Sequence, residues 1–185
     1  MFKRKILSKL EAWKRDERHK PLILRGARQV GKTTVVNEFG SQFDNYLYFN
    51  LEMNESVRLF EMDIPLNDLV NMLFASLGKS QREGSTLIFI DEIQNSPKTI
   101  ALLRYFYEQR PDLYVIAAGS LLENLVDVNV SFPVGRVMYM ALRPCSFYEF
   151  LGAIGKTNLL AVLSQKPEYT VAFHEQLIHQ FNQYT

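Results

Sequence analysis

The sequence predicts an α/β fold built on a parallel sheet, and three observations carry that reading. Short apolar runs alternate with helical stretches five times between residues 22 and 140. One run, Thr86-Leu87-Ile88-Phe89-Ile90, is apolar without alternation, as suits a strand covered on both faces. A Gly-rich turn, Gly26-Ala27-Arg28-Gln29-Val30-Gly31-Lys32-Thr33, leaves the first apolar run and leads directly into a helical stretch.

The elements follow in order. Residues 3–15 place Ile6, Leu7, Leu10 and Trp13 on one stripe of an amphipathic helix that ends near Pro21. Trp13 is read as core. Residues 22–24 form a short buried strand, and residues 34–39 the helix after the Gly-rich turn. A second strand runs over 46–51. Leu66, Leu69, Val70, Leu73, Phe74 and Leu77 then recur at helical spacing between Pro65 and Gly78, the expected polarity of those two residues. After the strand at 86–90, Pro97 opens a helix to about Gln109 that carries Ile100, Leu103 and Phe106. Strands at 114–118 and 137–140 complete the alternation.

Beyond Pro144 the pattern is helical only. Phe147, Phe150, Leu151 and Ile154 share one face, and Phe173, Leu177, Ile178 and Phe181 another. The chain therefore divides into a basic helix at 1–20, a core at 21–144 and a helical segment at 145–185. That last segment is expected to begin a lid or a linker to a missing C-terminal domain. No helix stop signal precedes Thr185, so a longer polypeptide is expected.

At 185 residues, 47% hydrophobic and 22% charged, the chain suits one domain with part of a second. A net charge of +1 gives no global field that favours nucleic acid or an anionic membrane. Residues 1–20 nevertheless hold eight Lys/Arg against three acids, a local +5 that leaves the rest at −4. That run is either a solvated helix face or a contact surface for phosphate or a partner. The single cysteine, Cys145, excludes an intramolecular disulfide and fits a reducing, cytoplasmic setting. No stretch reaches the roughly 18 apolar residues that span a bilayer, and charges break the N-terminal stripe, unlike a signal peptide. His174 and His179 are five apart, off the spacing that places two ligands on one helix face. His19 stands alone, so no metal cluster is expected.

The Gly-rich turn spells G-x-x-x-x-G-K-T, the loop that cradles nucleotide phosphates between a strand and a helix. Its glycines permit close approach, so successive backbone N–H groups can converge on phosphate. Gly26 through Thr34 are the nucleotide-binding candidates: Lys32 adds positive charge and Thr33 a hydroxyl ligand for Mg²⁺. Arg28 is expected to point outward and is not counted as catalytic. Asp91-Glu92 closes the buried run at 86–90, where an open α/β sheet places its ligand site. Asp91 would hold Mg²⁺ with Thr33, and Glu92 would orient or deprotonate a water facing the γ-phosphate. The alternative for that pair is a solvated strand end. Ser120, after the next strand, would reach the γ-phosphate or its attacking water, cap a helix at Leu121-Leu122, or do both. Arg136, before the fifth strand, would stabilise developing phosphoryl charge in cis or from a neighbouring subunit, or be a plain surface residue. No Asn-Lys-x-Asp guanine-reading motif follows, which favours ATP over GTP.

Together, Gly-Ala-Arg-Gln-Val-Gly-Lys-Thr-Thr, Phe-Ile-Asp-Glu-Ile-Gln, Ala-Gly-Ser-Leu-Leu, Val-Gly-Arg and Leu-Arg-Pro-Cys-Ser-Phe-Tyr-Glu-Phe-Leu resemble one prokaryotic family. It is a family of AAA+-type ATPases that carry a further C-terminal domain, described as nuclease-like or of unassigned role. The resemblance covers about residues 1–155. It implies the three-layer P-loop NTPase sandwich with strand order 5-1-4-3-2, the Ser120 strand lying between those of Gly26 and Asp91. It also implies that Lys32, Thr33, Asp91 and Glu92 act as described, with Ser120 as a γ-phosphate sensor and Arg136 at the family's Gly-Arg position. Family members continue well beyond a helix like 168–184.

The resulting expectation is an ATP-binding, Mg²⁺-dependent ATPase module that splits ATP to ADP and phosphate and couples this to a conformational change. Its expected partners are nucleotide and either further copies of itself or another protein, with no membrane. The alternatives are a nucleotide-dependent switch with negligible turnover and a DNA-associated ATPase. Only the basic N-terminus and fold analogy suggest the latter, and net charge does not support it.

Overall fold

The structure, a computed structural model, describes residues 4–120, 133–163 and 173–184. Five strands form one sheet: β1 (Leu22–Arg25), β2 (Asn45–Asn50), β3 (Thr86–Asp91), β4 (Leu113–Gly119) and β5 (Met138–Ala141). Their spatial order is β2-β3-β4-β1-β5 with every pairing parallel. This is the expected 5-1-4-3-2 order, read from the other edge. β3 is buried along its whole length, which explains its unbroken apolar run. β2, at the edge, alternates buried and half-buried positions instead.

Alternate residues of the central strands feed two cores, one on each face. On one face Ile23, Ile88, Ile90, Val115 and Ala117 pack against α4 (Leu66–Ser76) and α5 (Pro97–Gln109), through Leu69, Leu73, Ile100 and Phe106. On the other, Leu22, Leu24, Leu87, Phe89 and Ile116 meet α1 (Ile6–Arg15) and α2 (Lys32–Gly40). The result is a three-layer sandwich. A ten-residue helix like α1 is marginal alone, and it is held here by burial of Ile6, Leu7, Leu10 and Trp13. Basic side chains in and just after α1 fold back onto the chain. Lys14 Nζ sits 4.0 Å from the Phe43 ring centre, and Lys20 Nζ donates to the Gly135 carbonyl at 2.7 Å.

Local chemistry sets the helix ends. α4 stops in a left-handed Gly78, φ +62°, with Gly78 N–H donating to the Ala75 carbonyl and Lys79 N–H to that of Phe74. Ser96 caps α5 by accepting from Thr99 N–H, and Pro97 fills its first position. Two short helices went unread in the sequence, α3 (Asn54–Phe60) and α7 (Thr157–Leu163). Each has only seven residues, too few for a helical period to declare itself. A single 3₁₀ turn at Ile93–Asn95 also follows β3.

The C-terminal helices α6 (Phe147–Ala153) and α8 (His174–Tyr184) gather Phe147, Phe150, Phe181 and Tyr184 into one aromatic cluster. The helix start expected at Leu121-Leu122 lies outside the described residues. No helix among those described is long and apolar enough to cross a membrane.

Candidate functional site

Because the strands are parallel, all their carboxyl ends emerge at one edge of the sheet. Arg25 pairs with Gly119, and Ile90 with Ala117. Gly26, Asp91 and Ser120 therefore leave the sheet side by side, at the edge where open α/β sheets hold ligands.

The loop after β1 is shaped by backbone constraints. A Cβ on Gly26 would lie 2.3 Å from the Leu142 carbonyl oxygen, so no other residue fits. Gly31, at φ +90°, turns the chain into α2 and serves as its N-cap without a capping side chain. The first N–H groups of α2 are thus turned to the loop, where an anion would satisfy them. Lys32 folds across the loop, its Nζ donating to the carbonyls of Ala27 at 2.8 Å and Gly26 at 2.9 Å. Burial lowers the pKa of this ammonium, against the opposing pull of Glu92 and Asp91.

Fifty-eight residues apart in sequence, Thr33 and Asp91 meet: the hydroxyl donates to Asp91 Oδ2 at 2.6 Å. The second carboxylate oxygen accepts Glu92 N–H at 3.1 Å. Asp91 is only 3% exposed, and that burial raises its pKa although the Thr33 and Glu92 hydrogen bonds lower it. A hydroxyl that donates its proton keeps its lone pairs for a hard cation. The Thr33–Asp91 oxygens therefore fit Mg²⁺.

Glu92 adopts φ +53°, a left-handed conformation that costs a non-glycine residue about 1–2 kcal/mol. Its carboxylate accepts the Gln94 amide N–H, and the amide oxygen of Gln94 is buried without a partner among the described residues. Gln94 closes the Phe-Ile-Asp-Glu-Ile-Gln motif, but the sequence reading gave it no role. Glu92, Glu52, Lys32, Thr33 and Thr34 line a cleft of about 490 Å³ over the loop, with the exposed Arg28 at its rim. Ser120 Oγ, just after β4, is likewise buried and without a hydrogen-bond partner among the described residues.

Arg136 is the exception. It closes a turn from Pro133 just before β5, and Met138 pairs with Leu22, the first residue of β1. A residue preceding a parallel strand lies at the sheet's amino-terminal edge. The length of β5, about 13 Å at the usual rise, separates Arg136 from the phosphate loop. Its guanidinium bonds Glu108 Oε1 on α5 at 2.7 Å. The expectation that Arg136 reaches the γ-phosphate in cis is corrected: it adjoins the right strand at the wrong end.

The AAA domain family matches residues 18–151. This chain belongs to that family. Among solved structures, a chain of Drosophila ORC bound to DNA is similar at a TM-score of 0.48 and 11% identity, over 75% of this chain and 87% of that one. At that level of likeness, DNA binding belongs to that protein alone. No curated protein matches the chain.

In the AAA domain a more apolar pocket of about 500 Å³ also adjoins the phosphate loop, sharing Arg28, Gln29, Gly31 and Thr34 with the cleft. Val30, Val35, Pro144 and Cys145 line it, with Arg4 and Glu38 supplying charge. The Leu142 N–H donates to the Arg25 carbonyl at 2.7 Å and so lays residues 142–145 beside the loop. Nothing local to Pro144-Cys145 announces this. The thiol is half-buried, and burial raises its pKa, so it is suited to packing.

Proposed function

We propose that this AAA domain binds ATP with Mg²⁺ and hydrolyses it to ADP and phosphate, using the change of occupancy to drive a conformational change. The observation that carries the reading is the 2.6 Å contact between Thr33 and Asp91 beside the phosphate loop, which sets a metal-binding oxygen pair at the loop's mouth. In this reading the N–H groups opening α2 and the Lys32 ammonium bind the phosphates, while the apolar pocket against Pro144 receives the base. Thr33 and Asp91 hold Mg²⁺, which when bound neutralises phosphate charge. Glu92 orients a water and accepts its proton, and Ser120 donates to the terminal phosphate. Any catalytic part for Arg136 belongs to a neighbouring copy of the chain, since its own loop is out of reach.

A second reading is favoured by one contact. The amide of Gln94 occupies the Glu92 carboxylate, as it would in a switch that binds ATP and scarcely turns it over. Steady-state hydrolysis measured beside bound-nucleotide content separates the two readings. Lys32→Ala is expected to weaken ATP binding by ~2–4 kcal/mol, the range for losing a close charge-assisted contact. Glu92→Gln is expected to keep binding while turnover falls about 10²-fold. Full ATP affinity in a folded Lys32→Ala chain would remove the loop from the site.

A further inference from the structure

Arg4 lies outside the span matched to the AAA family, in the segment before α1, yet it is only 8% exposed. Its guanidinium reaches three places at once. Nη1 donates to the Val30 carbonyl inside the phosphate loop at 3.0 Å, and Nη2 to the Arg143 carbonyl at 2.8 Å. Nε donates to Glu149 Oε1 at 3.1 Å.

Glu149 is itself fixed. Oε1 also accepts Lys5 N–H at 2.8 Å, and Oε2 accepts Ser146 N–H at 2.9 Å in the capping box of α6. A carboxylate pinned this way is a rigid anchor for a forked guanidinium. Arg4 thus ties the loop to the first turn of α6.

The Val30–Gly31 peptide gives that tie a consequence. A trans peptide is planar, so the Val30 carbonyl and the Gly31 N–H point in opposite directions. Gly31 flanks this peptide at φ +90° and, lacking a Cβ, gives it little resistance to flipping. Arg4 Nη1 also lies 3.6 Å from where a Gly31 Cβ would sit. A donor holding the Val30 carbonyl therefore also fixes the opposite direction of the Gly31 N–H, and Gly31 lines the cleft over the loop.

We infer that Arg4 is a positioning residue of the nucleotide site: anchored by Glu149, it locks the Val30–Gly31 peptide in the orientation that offers an N–H to phosphate. This rests on the phosphate-binding reading above and adds an element that the loop motif does not contain. Arg4 also borders the pocket assigned to the base, but its guanidinium donates to Val30, Arg143 and Glu149, so in this scheme it acts through the loop. ADP and ATP share the inner phosphates that such an N–H serves, so both should depend on Arg4 equally.

The test is calorimetry of ATP and ADP on the whole chain, with wild type, Lys32→Ala, Arg4→Met, Arg4→Lys, Glu149→Gln, the Arg4→Met/Glu149→Gln pair and Val162→Ala. Arg4→Met is expected to weaken both nucleotides about tenfold, the scale of one hydrogen bond to a charged group. Arg4→Lys should recover part of this, because an ammonium replaces one arm of the fork. Glu149→Gln should weaken both in the same direction, and the pair should lose no more than Arg4→Met alone. Val162→Ala truncates a buried side chain of α7 away from Arg4; it lowers the melting temperature and should leave both affinities unchanged. Wild-type affinity in Arg4→Met, equal losses in Val162→Ala, or losses that multiply in the pair would each overturn the inference. If wild type and Lys32→Ala bind nucleotide alike, or not at all, the phosphate-site reading fails first and the inference falls with it.

Discussion

Asp91 shows how the site sets stability against function at a single residue. Its carboxylate is buried beside Glu92 with Lys32 as the nearby cation, and burial of a charge is unfavourable unless it is fully compensated. Asn at this position keeps an oxygen for the Thr33 hydroxyl and removes the charge, while giving up the acceptor for Glu92 N–H. Asp91→Asn is therefore expected to stabilise the nucleotide-free chain by about 1 kcal/mol, or roughly 2–4 °C in melting temperature for a chain of this size. The same change should abolish any further rise on adding Mg²⁺ with ATP. Thermal melts with and without those ligands check both halves, and a destabilised nucleotide-free mutant would show that the buried carboxylate supports the fold. Most of this site was legible in the sequence because Gly26 to Thr33 is one contiguous motif and Asp91-Glu92 ends an unmistakable buried strand. Arg4 and Gln94 were not, because their roles come from contacts 26 and two residues away that no spacing rule encodes.

At the scale of elements, α4 and α5 were legible from their apolar period, whereas α3 and α7 are too short to show one. Arg136 was misplaced for a different reason: adjacency of strands follows from topology, but the end of the strand at which a residue sits must be counted along its direction. The capping box of α6 offers a test at this scale. Burial would raise the Glu149 pKa, but hydrogen bonds from Ser146, Lys5 and Arg4 prevail and bring it from 4.5 to about 2. A depressed carboxyl pKa contributes stability that is present above the unfolded value and is lost as pH falls through the folded one. At neutral pH the ionised Glu149 is a net stabilising group. Glu149→Gln should therefore unfold more easily than wild type at pH 7, with the gap closing between pH 4.5 and pH 2. Urea unfolding across that range reads the gap directly. A gap that stays constant down to pH 2 would mean that the Glu149 charge does not anchor α6.

The whole molecule presents its loop and Arg136 at opposite ends of one sheet, a separation that no side-chain rotation closes. If Arg136 contributes to hydrolysis, a second copy must bring it, and the two defects should complement each other. Lys32→Ala carries an intact Arg136 but a crippled phosphate loop; Arg136→Ala carries the reverse. Each alone is expected to hydrolyse ATP at a small fraction of the wild-type rate, because loss of an arginine that stabilises the transition state costs as much as 10³-fold or more. In an equimolar mixture, a pair that sets the Arg136 of one copy against the loop of the other has one complete site. Turnover should then reappear, and should rise with total protein concentration as pairing does. Melting temperature supplies the control. Arg136 also bonds the exposed Glu108, and an exposed pair contributes little to stability, so Arg136→Ala should melt close to wild type. Wild-type turnover by Arg136→Ala alone would reduce the residue to its pairing with Glu108. A mixture that stays inactive at concentrations where wild type hydrolyses ATP would likewise rule out donation between copies.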